Sequence, residues 1–296
     1  MSPVSTLLRH SCLLGRGRPL GRGRPLLGRG LGVALAVAGL LASPRGFVGA
    51  QAAPNHPAGA PAASAAASVV DKLGGLSPVA PNTLENPGFP PAFFYKPKAG
   101  KGMKPVFVYL HGRSGVPEEG CRQWAKVVTE FGWLLCPAGQ LPFNGNPAER
   151  TWNNDWFTSE KNVLGALNAL RGKFGKRVQL RGNVLMGFSE GAYVAQNIAI
   201  RDTVTFNRWL IVASCDRYFG GDVNVLTEAK KKAKRVYLWT GETDGVVKES
   251  EAAFQHLKNL GYSVKLNVAK GYGHQIPVDT MGQQYRKALR WLVAAK

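Results

Sequence analysis

Acidic residues are the first scarcity in this sequence. Its 296 residues include 18 Asp and Glu against 38 Lys and Arg, and none of the 18 lies in the first fifty positions. The formal charge of +20 favours anionic surfaces or polymers as neighbours, which bears on encounter rather than chemistry. Long apolar runs are missing as well. Residues 31–42 (LGVALAVAGLLA) make a run of 12, whereas crossing a hydrocarbon core takes about 20. Cysteine is rare: Cys12, Cys121, Cys136 and Cys215 are the full set. The last three allow one disulfide and one thiol. Histidine, cysteine and carboxylates do not recur at metal-ligand spacing, and no cofactor, nucleotide or nucleic-acid motif occurs. The expectation is therefore no metal, no cofactor and no nucleic-acid partner.

What is present at the N-terminus is a basic stretch with GRGRPL in tandem at 15–20 and 21–26, then the apolar run, then the small residues VGAQAA. A basic n-region, a short h-region and an Ala-x-Ala-like end form a secretory signal peptide. It is expected over residues 1–50, with cleavage after Ala50 or Ala52. An anchor helix or an arginine-rich transit peptide is the alternative. There is no Arg-Arg pair for a twin-arginine signal, and Cys12 precedes the apolar run, unlike a lipidation cysteine. The Arg-Gly repeat reads as a long n-region rather than as an RNA-binding segment. Residues 51–70, Ala/Pro-rich and without apolar periodicity, read as a flexible linker. Residues 71–296 then form one folded domain, secreted or periplasmic, with no stable membrane anchor after cleavage. Without residues 1–50 there remain 31 basic and 18 acidic residues, a formal charge of +13. The run KKKAKR (230–235) reads as the solvated face of a helix end, where cations suit the dipole.

Short apolar runs recur along this domain: VFVYL (106–110), GWLLC (132–136), NVLMGF (183–188), WLIVAS (209–214), RVYLWT (235–240) and VKLNVA (264–269). Most are continuous rather than alternating, as parallel strands covered on both faces require. Helical spacing fills 118–131, 160–174, 190–201, 248–260 and 281–295. This alternation predicts an α/β fold with a doubly wound, mostly parallel sheet, helices on both faces and right-handed crossovers. The connections are too short for a large cap domain.

One strand, NVLMGF, runs into Gly-Phe-Ser-Glu-Gly (187–191) and then a helix. Glycines at 187 and 191 permit a tight turn and close packing of helix on strand, the setting of a nucleophile elbow. Ser189 is a nucleophile there or, alternatively, an N-cap of the helix. A serine hydroxyl needs a base, and the base an orienting carboxylate. Two histidines follow Ser189. His256 sits mid-helix, whereas His274 lies in the glycine-rich loop after the last strand (AKGYGHQIP) and is the candidate base. Asp244, four residues past strand 235–240 in GETDGVV, is the candidate acid. Asp216, after strand 209–214, is its rival, and Glu242 a weaker one. The backbone N–H groups of Glu190, directly after the serine, and Arg113, in the loop VYLHGRSG, are candidate oxyanion donors. His111 in that loop reads as a structural residue. Phe143, Trp152 and Trp156, between strands 132–136 and 183–188, either wall a substrate site or tuck a long loop onto the core.

Taken in order, LHGRSG, GFSEG, TGETDGVV and GYGH resemble the motifs of the α/β-hydrolase superfamily over about residues 90–296, closest to small serine esterases of the carboxylesterase and acyl-thioesterase type and to peptidase- or polyester-depolymerase-like relatives. The resemblance implies a single α/β-hydrolase domain, Ser189 as nucleophile, His274 as base, Asp244 as its orienter, and Arg113 and Glu190 as oxyanion donors. The expected function is serine-dependent hydrolysis of carboxylic esters or thioesters, the substrate being a small or polymer-derived acyl ester. The alternatives are a secreted serine peptidase of the same fold and a non-catalytic cell-wall or polymer binder. One departure stands out: thioesterase-type members usually carry a neutral, glutamine-like residue after the serine, where this chain has Glu190. A disulfide between Cys121 and Cys136 is expected. Cys121 opens the helix leaving the LHGRSG loop and Cys136 closes the next strand at the same end of the sheet.

Overall fold

The computed structural model of the protein describes residues 77, 79–153, 155–215, 219 and 223–294. The expected leader and linker over 1–70, and the rival carboxylate Asp216, lie outside them.

The chain enters through two short strands, β1 (Asn82–Leu84) and β2 (Ala92–Tyr95), and continues through β3 (Val106–Leu110), α1 (Pro117–Val128) and β4 (Trp133–Cys136). A hairpin of β5 (Leu141–Phe143) and β6 (Asn146–Thr151) precedes α2 (Trp156–Phe174). Then come β7 (Asn183–Phe188), α3 (Glu190–Arg201), β8 (Phe206–Val212), α4 (Val223–Lys230), β9 (Arg235–Gly241), α5 (Val247–Asn259), β10 (Val264–Ala269) and α6 (Gly282–Val293). Eight strands form one sheet in the order β1-β2-β4-β3-β7-β8-β9-β10. β2 pairs antiparallel with β1 and β4, and the other neighbours pair parallel.

The continuous apolar runs follow from burial on two sides. Along β3, Val106, Val108 and Leu110 enter one core and Phe107 and Tyr109 the other. The first core is closed by residues such as Leu167 of α2, Ala195 of α3, Leu226 of α4 and Leu257 of α5. The second is closed by Trp124 of α1 and Leu289 of α6. The sheet is therefore doubly wound, as the alternation of runs predicts. Among the described residues no segment is long enough to form a cap domain, and no helix is long and apolar enough to cross a membrane. Helix starts obey local chemistry: α1 opens with Pro117, Glu118 and Glu119, and Asp155 caps α2 by accepting the N–H groups of Phe157 and Thr158. Such a cap contributes about 1 kcal/mol.

Several boundaries differ from the sequence reading. β8 begins at Phe206, not Trp209, and stops at Val212, two residues early. Its polar entry, Asn207 and Arg208, is drawn into the sheet by β7 across a register shift between Asn183 and Val184. Its exit is set by Ala213 at φ 53°, left-handed backbone that breaks the ladder. The basic run 230–235 divides. Lys230 ends α4 and Lys231, Lys232 and Lys234 are exposed, whereas Arg235 opens β9 and is buried. The Arg235 guanidinium binds the Trp291 carbonyl and lies 5.4 Å from that residue's ring centroid.

Cys121 of α1 and Cys136 at the end of β4 are joined in a disulfide, with Cα atoms 5.8 Å apart. Both are buried where α1 packs back on the sheet, and Cys215 is a buried thiol.

Candidate active site

β7 ends and α3 begins at Ser189, whose backbone adopts φ 53° and ψ −120°. That conformation is costly for a residue with a Cβ and persists because the surroundings over-determine it. The Ser189 N–H donates to the Val212 carbonyl at 3.0 Å, and its own carbonyl accepts the Ala192 N–H at 3.0 Å. A Cβ at position 187 would lie 2.4 Å from the Gly191 carbonyl oxygen, and one at 191 would lie 2.3 Å from that of Leu110. Both glycines are thus required where α3 leaves β7 and passes the end of β3. The Ser189 side chain makes no cap hydrogen bond to the helix. Its Oγ instead lies 2.8 Å from Nε2 of His274.

His274 stands on the loop after β10, 85 residues further along the chain. Its Nδ1 is 3.0 and 3.1 Å from the two carboxylate oxygens of Asp244. Asp244 is buried and also accepts the Val246 N–H at 3.1 Å and the Thr240 hydroxyl at 3.3 Å. A carboxylate at Nδ1 puts the ring proton there and leaves Nε2 as an acceptor towards the serine. The two loops carrying Asp244 and His274 are stitched together. Thr243 N–H donates to the Tyr272 carbonyl at 2.9 Å. Gly271 N–H donates to Glu242, whose carboxylate is thereby occupied. Gly241 is needed at the seam, since a Cβ there would meet the Tyr272 carbonyl oxygen at 2.2 Å. His256, the other histidine after Ser189, lies within α5.

The loop after β3 lies against the same serine. A Cβ on Gly112 would come within 3.2 Å of the Ser189 Cβ. Among the described residues neither the Arg113 nor the Glu190 backbone N–H meets an acceptor. The first has no partner in its turn, and the second is the first residue of α3, where helix N–H groups are left over. The loop is held from beneath by His111. Nε2 of His111 accepts the Gly139 N–H at 2.9 Å, which forces its proton onto Nδ1, and that N–H donates to the Gly112 carbonyl at 2.7 Å. Burial pushes the His111 imidazole down to about 4, helped by the Arg150 charge and opposed by the Gly112 bond.

The stretch between β4 and α2 is an arm rather than a plain loop. Asn144 and Gly145, at φ 47° and 79°, make the two-residue turn of β5–β6, so the dipeptide Asn-Gly was the overlooked hairpin signal. The arm's base meets the serine through a side chain. Thr151 Oγ1 donates to the Glu190 carboxylate, 2.8 and 2.7 Å from its two oxygens, and the Trp152 N–H donates at 3.1 Å. Arg113 Nε is 3.6 Å from the same carboxylate. Thr151 had no sequence signal of its own.

Of the three aromatics read either as a substrate wall or as residues tucking the long loop onto the core, Phe143 lies half-buried in β5. Trp152 takes the second role. It is 3% exposed, its indole N–H donates to the His111 carbonyl at 2.9 Å, and its ring packs 5.2 Å from the imidazole. It fastens the arm to the loop because an indole buries much apolar area once its N–H is satisfied. Trp156 is exposed at the start of α2, under the Arg201 guanidinium at 4.9 Å. That places it at the end of α3 away from Ser189. Among the described residues no cluster of His, Cys, Asp and Glu could hold a metal ion.

The sequence matches no family model and no curated protein. In three dimensions the chain is similar to esterase PE8, with 20% identity and a TM-score of 0.51 over 72% of this chain and 100% of that one. It is likewise similar to the Bacillus cereus carboxylesterase, at 20% identity and a TM-score of 0.51 over 67% and 93% of the two chains. The Pyrococcus horikoshii acylaminoacyl peptidase matches at 15% identity and a TM-score of 0.54, over 78% of this chain and 44% of the peptidase. The chain has the α/β-hydrolase fold.

Proposed function

We propose that this protein is a serine hydrolase that cleaves carboxylic esters through an acyl-enzyme on Ser189. The observation that carries the reading is the contact series from Ser189 Oγ to His274 Nε2 at 2.8 Å and from His274 Nδ1 to the buried Asp244 at 3.0 Å. His274 takes the hydroxyl proton as Oγ attacks the acyl carbon, and Asp244 holds the ring in the tautomer that leaves Nε2 available. Negative charge moves to the former carbonyl oxygen, where the N–H groups of Arg113 and Glu190 receive it, aided by the positive end of α3. His274 then protonates the departing alcohol, and water repeats the sequence in reverse. Overlap with the whole length of an esterase, against under half of a peptidase, supports an ester before a peptide bond.

The test is covalent labelling by a fluorophosphonate together with turnover of p-nitrophenyl esters of graded acyl length. Ser189→Ala should abolish both while the protein stays folded. Undiminished turnover in that variant would leave Ser189 as no more than a bend between strand and helix. The leader sequence and the Cys121–Cys136 disulfide support a location outside the cytoplasm, since disulfides persist in oxidising compartments. The formal charge of +13 beyond residue 50 suits an anionic surface as neighbour. N-terminal sequencing of protein from its host should start near Gln51 or Ala53, and a start at Met1 would overturn the location.

A further inference from the structure

Glu190 presents a problem if the serine-hydrolase reading holds, and the inference here rests on that reading. Its backbone N–H faces the charge that develops during attack, yet its side chain is an anion next door. Like charge opposes an oxyanion, so a carboxylate there works against the reaction unless it does something else. A bland role as a helix-dipole residue would leave the carboxylate in water. Instead the side chain is 21% exposed and its oxygens are taken up by two other parts of the chain. The arm supplies the Thr151 hydroxyl and the Trp152 N–H, 39 and 38 residues away in sequence. The oxyanion loop supplies the Arg113 guanidinium.

We propose that the Glu190 carboxylate is a positioning group, a latch that fastens the β5–β6 arm and the 111–115 loop to the start of α3, and so keeps the Arg113 N–H aimed at the oxyanion. The surrounding contacts give the latch something rigid to hold. Arg150 N–H donates to the Gly115 carbonyl at 3.0 Å, making a short antiparallel bridge between arm and loop. The Arg150 guanidinium ties the arm's own base together through the carbonyls of Gly139 and Gln140. Trp152 and Gly139 clamp His111, at the root of the same loop. The Arg150 N–H, Trp152 and Gly139 contacts fix the arm to the loop. Among the described residues, the Glu190 carboxylate alone joins both to the helix that bears the nucleophile by hydrogen bond and ion pair.

The latch and a purely electrostatic role predict opposite signs. Removing the negative charge should speed acylation if charge alone mattered, and slow it if aim matters. Glu190→Gln keeps one acceptor oxygen but loses the second and the pairing with Arg113. Thr151→Val removes the hydroxyl donor without touching the reacting groups. The measurements are kcat and KM on p-nitrophenyl butyrate, and Ki for phenylboronic acid, whose tetrahedral serine adduct places an oxygen where the oxyanion forms. Both variants should lose about tenfold in kcat, and Glu190→Ala about a hundredfold, the scale of one misplaced oxyanion donor. KM should hold within about twofold while the boronate Ki rises in parallel with the loss in kcat/KM, as transition-state aim requires. Glu228→Gln, an exposed charge paired with Lys231, should match wild type. A kcat at or above wild type in Glu190→Gln and Thr151→Val, or losses confined to KM with an unchanged boronate Ki, would overturn the latch. If Glu190→Ala does not fold, the two near-isosteric variants decide. Ser189→Ala is assayed beside them. Wild-type turnover that survives in it refutes the serine reading itself, and the latch falls with that reading rather than on its own test.

Discussion

Protonating His111 should undo the support under the Arg113 loop, and the structure sets the size of the effect. The ring is 2% exposed, accepts the Gly139 N–H at Nε2 and donates from Nδ1 to the Gly112 carbonyl. A second ring proton would face the Gly139 N–H with nothing to accept it. Burial accordingly pushes the group from 6.5 to about 4. In the unfolded chain the ring binds its proton near 6.5, so between pH 6.5 and 4 the unfolded state carries one proton more than the folded state. Stability in that window rises with pH by about 1.4 kcal/mol per unit. The contribution is fully present above pH 6.5 and lost as pH falls towards 4, on the order of 3 kcal/mol in all. Urea unfolding of the oxidised protein at half-unit steps from pH 7 to 4 measures it, with His111→Gln as the reference that lacks the titrating group. Carboxylates also weaken the fold in acid, but they are common to both proteins, so the difference isolates position 111. Parallel pH profiles for wild type and variant across that window would refute the argument.

The contact series at the serine makes graded predictions. His274→Ala should abolish fluorophosphonate labelling nearly as fully as loss of the serine. Asp244→Asn should lower kcat by up to about 10⁴-fold through the wrong ring tautomer, with the fold retained. Equal activity of Asp244→Asn and wild type would remove Asp244 from the reading. Gly191→Ala puts a methyl 2.3 Å from the Leu110 carbonyl oxygen, and backbone cannot step aside. A loss of roughly 1–3 kcal/mol by thermal melt is expected, and an unchanged Tm would show that α3 can tilt freely. Replacing Cys121 and Cys136 together by serine opens a link across 15 residues of sequence, which by chain entropy should cost about 3 kcal/mol. Urea midpoints of the double variant check this, and equal midpoints would mean that the unfolded chain gains nothing from release.

Where a signal is local, the sequence carried it. The strands around Gly187–Gly191 are legible because burial on both faces demands unbroken apolar runs, and a glycine at each end of the turn is demanded by carbonyl oxygens within 2.4 Å of any added Cβ. The residues that meet at the serine are legible for a different reason, scarcity: only two histidines follow position 189, and one is inside a helix. What only the tertiary structure decided is where side chains find partners far along the chain. The sequence marks Glu190 as unusual but shows no partner for its carboxylate until Thr151 and Trp152 arrive beside it, and it leaves Trp152 between a pocket wall and a loop anchor until the His111 carbonyl takes its N–H. β8 begins at Phe206 because β7 offers hydrogen bonds there, although Asn207 and Arg208 carry no strand pattern. Periodicity and turn chemistry act over a few residues, so a single chain displays them. Satisfying a buried donor or carboxylate depends on which distant segment lies within about 3 Å, and that is known only once the sheet has assembled.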